Sequence, residues 1–159
     1  ARPGAAVTLN GIAQGWLTDR VADLLRDAGI EHYLVALGEL RARGRKAEGT
    51  PWRVGLAEAA APAGQPVVLE LVDRAMATSS GLVTRFEPPG DIITCSIPRP
   101  GNVRHWRSVT VTATRAATAD VLATALAVRP ARAAAALLAM APDATAVLTP
   151  HDGPAIVLG

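Results

Sequence analysis

Cysteine is almost missing from this sequence. Cys95 is the only one, so no disulfide can close within the chain, and the redox compartment is left open. Aromatic residues are nearly as scarce: Trp16, Trp52, Trp106, Tyr33 and Phe86 make up 3% of the chain. An interior must therefore be built largely from Ala, Val and Leu. No apolar run approaches the roughly 20 residues of a membrane-spanning helix, and no secretory leader pattern is present. There is no phosphate-loop pattern, no dinucleotide GxGxxG and no GxSxG nucleophile elbow. His32, His105 and His151 show no metal-ligand spacing with one another or with the cysteine. The net charge of +2 and the pI near 9.3 reflect a small excess of Arg and no basic block, which argues against a dedicated nucleic-acid surface. What remains is ordinary globular material: 159 residues, 50% hydrophobic and 19% charged. That is enough for one domain spanning 1–159, with no internal repeat and no linker.

The order of elements follows from periodicity and punctuation. Residues 5–9, "AAVTL", read as a short strand entering "NGIAQGWLTDRVADLLRDAG". That segment has helical periodicity through Ile12, Trp16, Val21, Leu24 and Leu25, with Gly29 as its stop. "HYLVAL" and "LRARGR" read as strands around Gly38, and "WRVGLAE" as another after the turn at Gly49–Thr50–Pro51. "EAAAPAGQP" is a loop by composition, "EPPGD" a turn, and "VVLELVD", "AMATSS" and "IITCSI" are strands. "RSVTVTAT" is strongly β by alternation and branching. Two helices follow, one over Ala119–Val128 and one in "ARAAAALLAMA", before a closing hairpin of "TAVLT" and "AIVLG" around His151–Asp152–Gly153. Many strands in meandering order, with helices early and late, predict an α+β fold with a largely antiparallel sheet and flanking helices.

The helix after Thr118 holds the strongest chemical signal. It is apolar apart from Asp120 and Thr124, which stand four residues apart on one face. A carboxylate and a hydroxyl at that spacing suit a small hard cation. The plainer account has Thr118 capping the helix, Asp120 in its first turn and Thr124 bonded to its own backbone. "LNGIAQG" is a strand-to-helix junction whose N–H groups favour an anion, or else its small residues Gly11, Ala13 and Gly15 serve close helix–sheet packing. The hydroxyl run "ATSSG" suits phosphate or ribose oxygens, or is a polar strand end. Glu39, beside Gly38, suits a ribose or ring N–H, or is an edge-strand residue facing solvent.

Taken together and in order, these stretches resemble the ApbE-type flavin transferases, the FAD:protein FMN transferases. The family's Gly-Gly-Ile-Ala-Lys-Gly-Tyr segment, leading into a helix with Asp-Arg, reads here "NGIAQGWLTDR". Its Gly-Glu or Gly-Gly-Asp strand reads "LVALGELRARG", its Pro-Trp-Arg-Val-Gly strand "PWRVGLAE", and its Ala-Thr-Ser-Gly "ATSSG" with a following "TRFE". Its Ser-Val-Thr-Val strand and Ala-Asp-x-x-x-Thr-Ala-Leu helix read "SVTVTATRAATADVLATAL".

The resemblance implies an ApbE-like fold and an enzyme that splits FAD, moves FMN onto a Thr or Ser hydroxyl of a target protein and releases AMP. It implies Mg2+ on the pyrophosphate, held by Asp120, Thr124 and the carbonyl of Gly11. It places FAD contacts at Thr8, Gln14, Gly38, Glu39, Thr78 and Ser79. Departures from the pattern are specific. Thr8 stands where the family has a flavin-contacting Asp, and Gln14 where it has Lys. Thr94 occupies the position of the family's His, the expected base for the incoming hydroxyl, and Ile97 that of an Asp. A Thr cannot act as a base near neutral pH, so no residue is assigned as catalytic. Two alternatives stay open: an FAD- or nucleotide-binding homologue or partner subunit without transfer, and hydrolysis of FAD to FMN and AMP. The family's chains are longer, and the portion without counterpart here is N-terminal. The chain is therefore expected to leave apolar surface uncovered, built from Ala, Val and Leu with Trp16, and to self-associate or pair with an N-terminal partner polypeptide. The family works on the periplasmic side of the bacterial envelope or in the cytoplasm.

Overall fold

A computed structural model describes residues 8–56, 67–80, 85–86, 93–94 and 105–159, with the backbone alone at 85–86 and 93–94. The chain opens with helix α1 (Ala13–Asp27), followed by strands β1 (Tyr33–Ala36) and β2 (Leu40–Arg43). Next come β3 (Trp52–Gly55), β4 (Val68–Leu71) and β5 (Ala75–Ser80), and the two-residue pair β6 (Arg85–Phe86) and β7 (Ile93–Thr94). Strand β8 (Ser108–Ala113), helices α2 (Ala116–Ala127) and α3 (Ala131–Leu138), and strands β9 (Thr145–Thr149) and β10 (Ile156–Leu158) complete it. A six-stranded sheet runs β1-β2-β5-β8-β9-β10, with every neighbouring pair antiparallel. The expected α+β architecture is the observed one.

Alternation along β5 divides the interior. Ala77 faces the helix layer, where Val109, Val111 and Ala113 of β8 meet Ala119, Leu122, Ala123 and Leu126 of α2. Met76 faces the other side and packs with Ala42 and Leu71 beneath the β3–β4 hairpin. Helix α2 is buried along much of its length, which accounts for its lack of outward charge. Alanines on it let the backbone lie close to the sheet. Trp106, 6% exposed, donates its indole N–H to the carbonyl of Arg129 at 2.9 Å and fixes the chain just past the end of α2.

Several expectations change. Gly29 does stop α1: at φ +80°, it and Ile30 donate to the carbonyls of Arg26 and Leu25 at 2.9 and 3.0 Å, closing the last turn. The face of α1 is inverted, however. Its buried residues are Gly15, Thr18, Asp19, Ala22 and Asp23, whereas Trp16 and Leu24 are 58% and 63% exposed. Helix α2 begins at Ala116, not Ala119, and Thr118 does not cap it. Thr8 and Leu9 belong to no strand. The rest of the first expected strand, the loop at 58–66, the turn at 87–91, and all but Ile93–Thr94 of "IITCSI" lie outside the described residues.

Candidate functional site

Helices α1 and α2 lie antiparallel on one face of the sheet, meeting at intervals of four residues on each. At one end Gly11 approaches Thr124: a Cβ on Gly11 would stand 2.8 Å from Thr124 Cγ2 and 3.1 Å from its Oγ1. One turn along, Gly15 donates its backbone N–H to Asp120 Oδ2 at 2.9 Å, and a Cβ there would stand 2.4 Å from the Ala116 carbonyl oxygen. One turn further, the Asp19 carboxylate accepts from the N–H groups of Ala116 and Ala117 at 2.9 and 3.0 Å. Gly15 is needed because it lies against the backbone of α2, whereas Gly11 lies against the side chain of Thr124. The Gly15 N–H, which reads as an anion donor in the sequence, is occupied by Asp120, and the close packing of Gly11 and Gly15 is against a helix and not the sheet.

Besides Asp19 and Asp23, which pair with arginines, two more buried carboxyl groups stand in this region. Asp120 is 6% exposed and Glu39 8%. Burial raises the carboxyl of Asp120, and the Gly15 N–H only partly opposes it. Burial, reinforced by the charge of Asp120, raises Glu39 to about 7, against the opposing pull of the Thr78 backbone N–H. The nearby guanidinium groups are committed elsewhere: Arg41 pairs with Asp19, and Arg115 with Asp19 and Asp23. Asp120 and Glu39 thus press on each other, with Thr124 Oγ1 one turn from Asp120 and Ser79 Oγ 3.4 Å from Thr124 Oγ1. Among the described residues no group of three His, Cys, Asp or Glu side chains is arranged to hold a metal. The donor set is nevertheless all oxygen, and among the described residues neither carboxyl is paired with a cation. Such a set fits a hard cation that keeps several waters and takes phosphate as its remaining partner.

The sequence-derived residues divide clearly. Gly11, Asp120, Thr124, Ser79 and Glu39 come together, which removes the solvent-facing reading of Glu39. Gln14 reaches the β1–β2 turn, its amide nitrogen 3.0 Å from where a Cβ on Gly38 would stand. Gly38 itself, at φ +97°, makes that turn. Thr78 offers its backbone to Glu39, but its hydroxyl lies on the opposite sheet face, 3.0 Å from Thr110 Oγ1. Thr8 is exposed, and its hydroxyl takes a local bond from the Asn10 N–H at 3.2 Å. The "ATSS" run is the end of β5. The side chain of Thr94, and all of Ile97, lie outside the described residues. Sequence reasoning missed Asp19. Its signal is the stripe Gly11, Gly15, Asp19, which mirrors Thr124, Asp120, Ala116. Exposed apolar side chains include Leu9, Trp16, Leu17 and Leu24, with Val68, Val121 and Val157 elsewhere on the surface.

A profile of the ApbE family matches residues 1–148. An FAD:protein FMN transferase of Vibrio cholerae is 40% identical over 132 residues, covering 78% of this chain and 39% of that protein. One of Haemophilus influenzae is 34% identical over 132 residues, covering 79% and 38%. Among solved structures, the flavin transferase ApbE of Vibrio cholerae superposes with a TM-score of 0.75 at 32% identity, over 99% of this chain and 52% of that one. The ApbE protein of Thermotoga maritima gives 0.78 at 25% identity, over 98% and 52%. The chain thus spans well under half the length of these curated relatives and about half of the solved chains.

Proposed function

The chain belongs to the ApbE family, and from that membership we propose that it forms the pyrophosphate-binding part of a magnesium-dependent flavin transferase. The reaction is transfer of FMN from FAD to a Thr or Ser hydroxyl of a target protein. The acceptor oxygen bonds to the FMN phosphorus, the bond from that phosphorus to the bridging oxygen breaks, and AMP leaves. Asp120, Thr124 and the Gly11 carbonyl would hold the magnesium ion in this reading. When bound, it neutralises charge on the phosphoryl oxygens. Asp120 supplies a carboxylate fixed by Gly15, while Thr124 and Ser79 supply hydroxyls on the same side. Glu39 and Gln14 line the adjoining turn, where ribose or flavin polar groups would be met.

The observation that carries the reading is the pair of buried carboxyls with no cationic partner among the described residues, beside a hydroxyl one helix turn away. The deciding experiment incubates the full-length protein with FAD, magnesium and a candidate acceptor, followed by mass spectrometry. An FMN adduct that disappears with a chelator is expected. FAD bound without any adduct would replace transfer with binding alone, and FMN plus AMP without adduct would replace it with hydrolysis. Thr94 at the family's His position favours these second readings.

A further inference from the structure

Asp19 is 1% exposed and has four partners. Ala116 and Ala117 donate their backbone N–H groups to it, Arg115 Nε donates at 3.2 Å, and Arg41 pairs with it from β2. Arg115, at the N-cap position just before α2, offers no side-chain cap, so the first amides of α2 are satisfied from another helix. Arg115 also grips both oxygens of Asp23, one turn further along α1, at 3.2 and 3.1 Å.

We infer that Asp19 is a positioning residue: one carboxylate fixes the axial and rotational setting of α2 against α1 and ties β2 to both, so that it sets where Asp120, Thr124 and Glu39 stand. The functional half of this inference rests on the reading of the preceding section. The physical need is clear. Helix α2 meets its surroundings largely through alanines, whose small side chains interdigitate little and resist sliding or rotation weakly. Directional bonds at its first turn supply the missing constraint. Asp120 lies about one turn, roughly 6 Å, beyond Ala116, so a rotation at that end carries through to it. Arg41 follows Glu39 by two residues, so the same carboxylate anchors the strand that leads from Glu39.

The test is amide exchange at Gly15 in the full chain, read by NMR without any ligand, against the amides of Val109 and Leu148 in the sheet. Asp19→Asn leaves one oxygen to accept and removes the charge that pairs the two arginines. Gly15 is expected to exchange about tenfold faster relative to both reference amides, the size of one charged hydrogen bond. Arg74→Gln, which removes bonds to Thr112 and to the carbonyl of Asp143, should move all three amides together. Should Asp19→Asn not fold, Arg41→Gln keeps both bonds to α2 while freeing β2, and about threefold in the same direction is expected. An unchanged ratio of Gly15 to Val109 overturns the inference. Magnesium-dependent FAD binding by Asp19→Asn, measured well below its unfolding temperature, should also weaken about tenfold. If the parent chain shows no such binding, the preceding reading falls, and the exchange ratio still decides the role of Asp19.

Discussion

Gly15 donates its backbone N–H to Asp120 and leaves no room for a side chain beside the carbonyl of Ala116, so one residue both bonds to α2 and packs closely on it. A methyl group there would stand 2.4 Å from that carbonyl oxygen, and backbone cannot yield as a side chain can. Gly15→Ala should cost about 1–3 kcal/mol or more by forcing the helices apart. Gly11→Ala, which meets only the side chain of Thr124, should cost less. Urea unfolding of both variants checks the order; a larger loss at Gly11 would contradict the contact pattern.

Asp120→Asn should uncouple stability from binding. The amide still accepts from Gly15 but carries no charge, and burial disfavours the charge in the absence of a cation. The midpoint of thermal unfolding is expected to stay level or rise, while magnesium-dependent FAD binding falls at least about tenfold. Calorimetry showing parent-like binding would remove Asp120 from the site.

Glu39 gives the metal-free chain a particular pH profile. Its carboxyl ionises near 4.5 when unfolded and at about 7 when folded. Between those values the folded chain holds a proton that the unfolded chain has released. Its contribution is therefore full below 4.5, falls as pH rises, and is lost above about 7. Glu39→Gln should remove this fall. Urea unfolding of parent and variant in chelator, at about pH 5 and about pH 8, should show the variant gaining on the parent at the higher pH. No relative gain would mean that Glu39 ionises normally.

Thr94→His restores the residue type expected to take the acceptor's proton. A general base contributes about 10²–10⁴-fold. Flavin transfer by the full-length protein should rise within that range, measured as adduct formed per minute. An unchanged rate would place the shortfall elsewhere in the site.

The exposed Trp16, Leu17 and Leu24 on α1 bear on association. Large apolar side chains gathered on a surface often mark an interface. Static light scattering of this chain should give a mass above the monomer, and Trp16→Ser with Leu24→Lys should bring it down. A parent that stays monomeric across concentrations would show that these side chains do not drive self-association.

The strands were readable because branched residues alternate in "RSVTVTAT" and glycines mark the turns, as at Gly38 and Gly29. The stripe of Asp120 and Thr124 was readable because any polar pair stands out in an apolar helix. The face of α1 was not. Its apolar residues suggest the inside, yet Asp19 and Asp23 go inward because Arg115 and Arg41 meet them there. Those partners lie far away in sequence, and periodicity cannot see them. The start of α2 was misjudged for the same reason: its cap is a side chain 97 residues earlier. The burial of Glu39 was hidden because a short strand beside a glycine looks like an edge, and only the packed helix layer shows otherwise.

The four-residue rungs between α1 and α2 also constrain how this protein can change its length. Each added helical residue turns everything after it by about 100°. One insertion between Gly11 and Asp19, or between Ala116 and Thr124, would swing every later rung off its partner. Substitutions can be absorbed one at a time, but insertions and deletions cannot unless both helices change in step. These two short segments should therefore keep a fixed length across the protein's descendants, with gaps accumulating in the surrounding loops.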